Sequence, residues 1–180
     1  MATSVGIELG STAVSAVALA RTAAGVRLMS SAYVPWRGTD ADGLSQAIAQ
    51  ACATVTATRA ATIGIGSEVA IIQTVEPLVV QPARAALAVA FEFQYYLPYE
   101  LTDSSWHYRW WPDGDVATSP TKGDLSSRVG SRGLTGTRRV VAVAVKRPLL
   151  DAHLDVCRRA GLAVRAVEVS AVAAVNAWWH

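Results

Sequence analysis

Glu8, Gly10, Ser11, Thr12 and Ser15 fall together in the run VGIELGSTAVSAVALA, Val5 to Ala20. Side chains alternate on both sides of the Gly-Ser-Thr, which predicts a strand, a tight bend and a second strand. In several ATP-binding folds that geometry brings backbone N–H groups up to a phosphate. An ordinary hairpin turn uses the same residue types, so the motif alone does not choose between them. Three other groupings carry possible chemistry. Gly130, Gly133 and Gly136 precede a strand, and no Gly-Lys-Ser/Thr follows them, so they predict a loop and not a phosphate cradle. His153 and Cys157 stand one helical turn apart, but two further metal ligands at sensible spacing are absent, and a core cysteine beside a surface histidine is expected. Trp106, Tyr108 and Trp110 share one strand face, with His107, Arg109 and Trp111 on the other. Such a row can stack nucleic-acid bases. The later strand RRVVAVAV is aliphatic where a base-stacking domain needs aromatics, so packing against the helix that starts at Pro82 is the expected role.

Composition narrows the classes. The 180 residues are 52% hydrophobic and 17% charged, with a net charge of +2 and only two lysines, Lys122 and Lys146. Such a balance gives no electrostatic reason to expect nucleic acid or an anionic bilayer as partner. A chain of this length buries roughly 70% of its unfolded surface, so neither metal nor disulfide is required for a core. Its apolar runs fall short of the ~18 residues of a membrane span. The first twenty residues include Glu8 and lack a basic segment, which argues against a signal peptide and for a cytoplasmic location. Cys52 and Cys157, far apart in predicted helices, are expected as buried thiols.

The elements that must position these residues follow from periodicity. After the opening hairpin, Val26 to Val34 is a third alternating strand ended by Pro35. From Asp42, Leu44, Ile48, Cys52 and Val55 line one helix face, and Ala61 to Gly66 is a short buried strand. A second unit is expected from VAIIQTVEP, a helix opened by Pro82 and ended by Pro98, the aromatic strand at Trp106, the strand RRVVAVAVKR, a helix closed by Gly161 and the strand LAVRAVEV, in the order βαββαβ. Within it the segment 113–137, rich in Gly, Ser, Thr, Pro and Asp, is expected to be a mobile loop. A last helical pattern ends in Trp178 and Trp179, a pair that either packs onto the opening sheet or forms an interaction surface.

The run IELGSTAVSAVAL resembles the first phosphate motif of the actin-like ATPases, and most of all the PilM-like proteins of type IV pilus machines, relatives of FtsA. VAIIQTVEP, FQYYLPYEL, RRVVAVAVKR and GLAVRAVEVSAVAAVNA match in the same order. The resemblance covers nearly the whole chain but only the N-terminal half of such a protein. It implies an α/β fold: an incomplete actin-like (ribonuclease H-like) subdomain IA, residues 1–66 plus 169–180, into which the βαββαβ unit, subdomain IC, is inserted at 67–168.

By the same resemblance Glu8 stands where the family has a metal-directing aspartate, and Ser15 stands where it has a phosphate-neutralising lysine. Gly10, Ser11 and Thr12 keep the phosphate turn. Serine supplies no full positive charge. The family's second phosphate loop and adenosine pocket belong to the other half, and a triphosphate on one open sheet would interact with its few charges through water. No catalytic residue, metal or cofactor is therefore expected, ATP and Mg²⁺ entering only if a second half completes the site. What the resemblance implies instead is a cytoplasmic scaffold of a type IV pilus or related type II secretion machine. It would sit at the inner membrane through a partner and bind the cytoplasmic tail of a PilN-like inner-membrane protein in a groove near the IA and IC junction, with self-association possible and no insertion into the bilayer. Two rivals are an ATPase half that works once its C-terminal half is restored and a single-stranded nucleic-acid binder.

Overall fold

The computed structural model describes residues 3–37, 40–55, 60–78, 82–110 and 139–179. They form two compact units, Met1–Ile71 with Val145–His180, and Ile72–Ala144.

The larger unit is built on β1 (Thr3–Leu9), β2 (Ala13–Thr22), β3 (Gly25–Pro35), α1 (Ala41–Val55) and β4 (Ala60–Ile65). Beyond the second unit it is completed by α3 (Arg147–Arg159), β8 (Ala163–Val169) and α4 (Ser170–Trp179). The sheet order is β3-β2-β1-β4-β8. β1 with β2 and β2 with β3 are antiparallel, whereas β1 with β4 and β4 with β8 are parallel. The meander is set by its turns. Gly25 takes a φ of 125°, where a Cβ is strained, and the Thr22 hydroxyl donates to its carbonyl at 2.9 Å.

Alternation then decides which face is covered. Val5, Ile7 and Leu9 on β1 and Val14, Ala16, Ala18 and Ala20 on β2 are buried, and the small alanines let a helix approach closely. That helix is α1, capped by the Asp40 carboxylate accepting the Gly43 N–H, with Ala47, Ile48, Ala51 and Val55 buried against the sheet. Leu44 and Cys52, expected on the same stripe, are half-buried. α3 opens with Pro148 in its first turn and closes on Gly161 at φ 72°. There the Leu162 N–H donates to the Cys157 carbonyl and the Gly161 N–H to that of Arg158, the paired bonds of a Schellman cap, with Leu162 buried behind them.

In the second unit β5 (Ala70–Val75), β7 (Val140–Lys146) and β6 (Ser104–Trp110) form a three-stranded sheet in that order, and α2 (Ala85–Gln94) lies between β5 and β6 in sequence. Its core includes Val75, Val89, Phe93, Val140, Ala142 and Ala144. Trp106, Tyr108 and Trp110 are half-buried on one face of β6, while His107 and Arg109 are exposed on the other. The rings contact one another, Trp106 stacked on Tyr108 at 5.9 Å and Tyr108 edge-on to Trp110 at 6.1 Å.

Two expectations are corrected. α3 and β8 do not belong to the inserted unit, which reads βαββ in place of βαββαβ and runs from 72 to 144, not from 67 to 168. Neighbours in sequence are not neighbours in the sheet here, since β8 follows β7 and α3 along the chain but pairs with β4. β8 covers the second edge of β4, so this sheet has five strands among the described residues. The region 113–137 lies outside the described residues, as do the side chains of Trp178 and Trp179. Among the described residues, no helix is long and apolar enough to cross a membrane.

Cys157 is fully buried on α3, and its thiol pKa is pushed up from 9.0 to about 11, first by burial and then by Cys52 on the neighbouring helix. The neutral thiol is favoured in the folded chain, so stability holds below pH 9.0 and falls as pH rises from there toward about 11, where the unfolded chain has already released its proton. Urea titrations across that range should show the decline, and Cys157→Ala should flatten it. Near neutral pH, Cys157 should stay unmodified by a thiol reagent until the protein unfolds.

Candidate functional site

β1 ends at Leu9 and β2 begins at Ala13, so Gly10, Ser11 and Thr12 are the turn, as the alternation predicts. The turn is closed from inside. The Gly10 N–H donates to the Ala13 carbonyl at 3.0 Å, and a Cβ on Gly10 would sit 2.9 Å from that same oxygen. Trp36, just past β3, holds it from outside: its backbone N–H donates to the Thr12 carbonyl and its indole N–H to the Gly10 carbonyl, each at 3.0 Å. An N–H committed to Ala13 is not offered to a phosphate. Ser11 and Thr12 are exposed.

Strand register shows what stands beside the turn. Glu8 pairs with Ser15 across the hairpin, Ser15 with Tyr33, Glu8 with Gly64 on β4, and Gly64 with Glu168 on β8. Directly paired residues share a face, so Tyr33, Ser15, Glu8, Gly64 and Glu168 form one row across the sheet, opposite the face α1 covers. Adjacent strands lie about 4.8 Å apart, which puts the two glutamates about 10 Å apart with only a glycine between them. The row holds two carboxylates and no cation. Ser15 offers a hydroxyl but no charge to balance the two carboxylates.

Gly64 is where the start of α4 comes closest. A Cβ there would lie 2.9 Å from the Ser170 Oγ and 3.8 Å from the Glu8 Cα. The Ser170 hydroxyl is buried and has no hydrogen-bond partner among the described residues. Gly64, Glu168 and Ser170 were not singled out by sequence reasoning, because only register brings them to Glu8. An isolated glycine inside the strand pattern ATIGIG was the available signal, marking a close approach. Among the described residues, no group of three or more His, Cys, Asp or Glu side chains could hold a metal ion. His153 donates from its ring to the Leu149 carbonyl on its own helix at 2.7 Å, and Cys157 is buried, so the two do not converge.

The segment Gln94 to Leu101, part of the resemblance, has a structural role. The Gln94 amide donates to the Tyr99 carbonyl at 2.9 Å and accepts the Leu101 N–H at 2.7 Å, clamping the loop that leads into β6.

Two substitution series test these contacts. Gly10→Ala should cost about 1–3 kcal/mol in chemical denaturation, since a backbone carbonyl obstructs the new methyl, while Ser11→Ala and Thr12→Ala should stay within about 0.5 kcal/mol. Ser170→Ala should be neutral or stabilising, because it removes an unpaired buried hydroxyl. Gly64→Ala should be destabilising by about 1 kcal/mol or more, and the loss should shrink in the Ser170→Ala background, as a double-mutant cycle would read.

No family model matches the sequence, and no curated protein matches it. Solved structures do. The chain is similar to the PilM-PilN type IV pilus biogenesis complex, with a TM-score of 0.72 at 17% identity, over 96% of this chain and 49% of that one. It is also similar to the cytoplasmic domain of EpsL, an inner-membrane component of the type II secretion system of Vibrio cholerae, with a TM-score of 0.56 at 13% identity, over 92% of this chain and 57% of that one. The chain thus spans about half the length of the solved structures it matches. With the five-stranded mixed sheet and its inserted second unit, these likenesses show that the chain has the actin-like α/β fold found in PilM and in the EpsL cytoplasmic domain.

Proposed function

We propose that the chain is a non-catalytic scaffold of a type IV pilus or related type II secretion assembly machine, and that it binds the cytoplasmic tail of a PilN-like inner-membrane protein. The observation that carries this reading is the likeness to PilM, solved together with PilN, over 96% of the chain. Location follows from the partner: cytoplasmic, and peripheral at the inner membrane. The turn chemistry points the same way. Glu8, Gly10, Ser11, Thr12 and Ser15 meet in space, but the Gly10 N–H is already bonded, the lysine position carries serine, and Glu168 adds a second carboxylate to the row. A triphosphate gains little from such a surface without a cation to offset its charge. The chain on this reading needs neither ATP nor Mg²⁺.

Isothermal titration separates the readings. A synthetic peptide with the sequence of a PilN-like N-terminal tail should bind at micromolar concentration, and Mg-ATP should give no saturable heat. Saturable micromolar binding of Mg-ATP would overturn the non-nucleotide reading, and a tail peptide without binding would overturn the adaptor. The same titration on a form carrying a second actin-like half tests the rival ATPase.

A further inference from the structure

β3 is the outer strand of the larger sheet, paired on one side with β2 and with no other strand among the described residues. Its outward N–H and C=O groups are a template for another strand. Natural edges are usually short or blunted by lysine, internal proline or a bulge. β3 has eleven residues, no lysine, and proline only at its end. One bulge is present: Ala18 pairs with Ser30 and Leu19 with Leu28, so Met29 is the extra residue. Beyond it, Ser30 to Pro35 pairs without interruption with Ala18 to Ala13, a run long enough to take an ordinary strand on its free side.

Side chains along this edge are apolar and uncovered. Val26 is 66% exposed, Leu28 and Met29 56% each, and Tyr33 67%. The charge is of one sign. From Leu9 to Thr39 the sequence contains no Asp or Glu, but it contains Arg21, Arg27 and Arg37. All three arginines are exposed, and none is in an ion pair among the described residues.

We propose that the β3 edge takes up an extended segment of another protein, one in which apolar residues alternate with Asp or Glu, as a sixth strand of the sheet. Backbone bonds supply the register, the exposed aliphatic and aromatic side chains supply burial, and the arginines select for acid. A second copy of this chain fits less well, because it would bring the same acid-free, arginine-bearing edge against itself. A bilayer also fits less well. Val26, Leu28 and Tyr33 lie on the open face, while Arg27 pairs with Ala20 on the face α1 covers, and an added strand borders both faces where a flat surface meets one. The inference rests on the larger unit alone and does not depend on the PilN-like tail.

The test is hydrogen exchange on the full chain with a soluble alternating Val/Glu peptide and its Val/Lys counterpart. The acidic peptide should slow exchange of β3 amides by about tenfold or more and lose affinity as salt rises. The exposed pair Arg21→Glu with Arg27→Glu, its fold checked by circular dichroism, should weaken the acidic peptide about tenfold. Ser31→Pro, which disturbs the edge backbone, serves as a second variant and should abolish the protection. The proposal is overturned by unchanged β3 exchange with the acidic peptide, by equal protection from the basic one, by protection that grows with protein concentration alone, or by β3 protection from phosphatidylglycerol vesicles and not from peptide.

Discussion

The larger unit depends on β4 having a parallel strand on each side. Ile63 and Ile65 are fully buried, so the peptide groups of β4 cannot turn to water and must be bonded along both edges. β1 supplies one edge. The other is supplied only after the chain has left for the second unit and returned through α3 to lay down β8. Burial of α3 on the same layer as α1 follows from that return, and so does the start of α4 over Gly64.

This dependence explains what could and could not be read from the sequence. The hairpin, the third strand, the α1 helix and the close of α3 at Gly161 are local patterns, set by alternation, a period of 3.6 and glycine's access to positive φ, and they appear where expected, although the buried side of α1 takes in Ala47 and Ala51 and leaves Leu44 and Cys52 half-buried. β8 is equally clear as a strand, but its partner is not a local property. LAVRAVEV could have extended the nearby sheet, and only the unfilled edge of β4 decides otherwise. The candidate site shows the same division. Glu8, Gly10, Ser11, Thr12 and Ser15 stand close in sequence, whereas Gly64, Glu168 and Ser170 join them through register between distant strands.

A phosphate-binding turn needs donors free to point outward. Here Trp36 ties the turn at two carbonyls and Ala13 takes the Gly10 N–H, bonds that fasten β1, β2 and the end of β3 together. Gln94 does the comparable work in the second unit, its one amide tying the end of α2 to Tyr99 and Leu101 at once.

The chain leaves for the second unit through β5 and comes back through β7, and these two strands are sheet neighbours. A guest whose first and last strands are paired is closed on itself whatever lies between them. A module closed in this way can be lengthened or pared down between its outer strands while the sheet that carries it keeps its order.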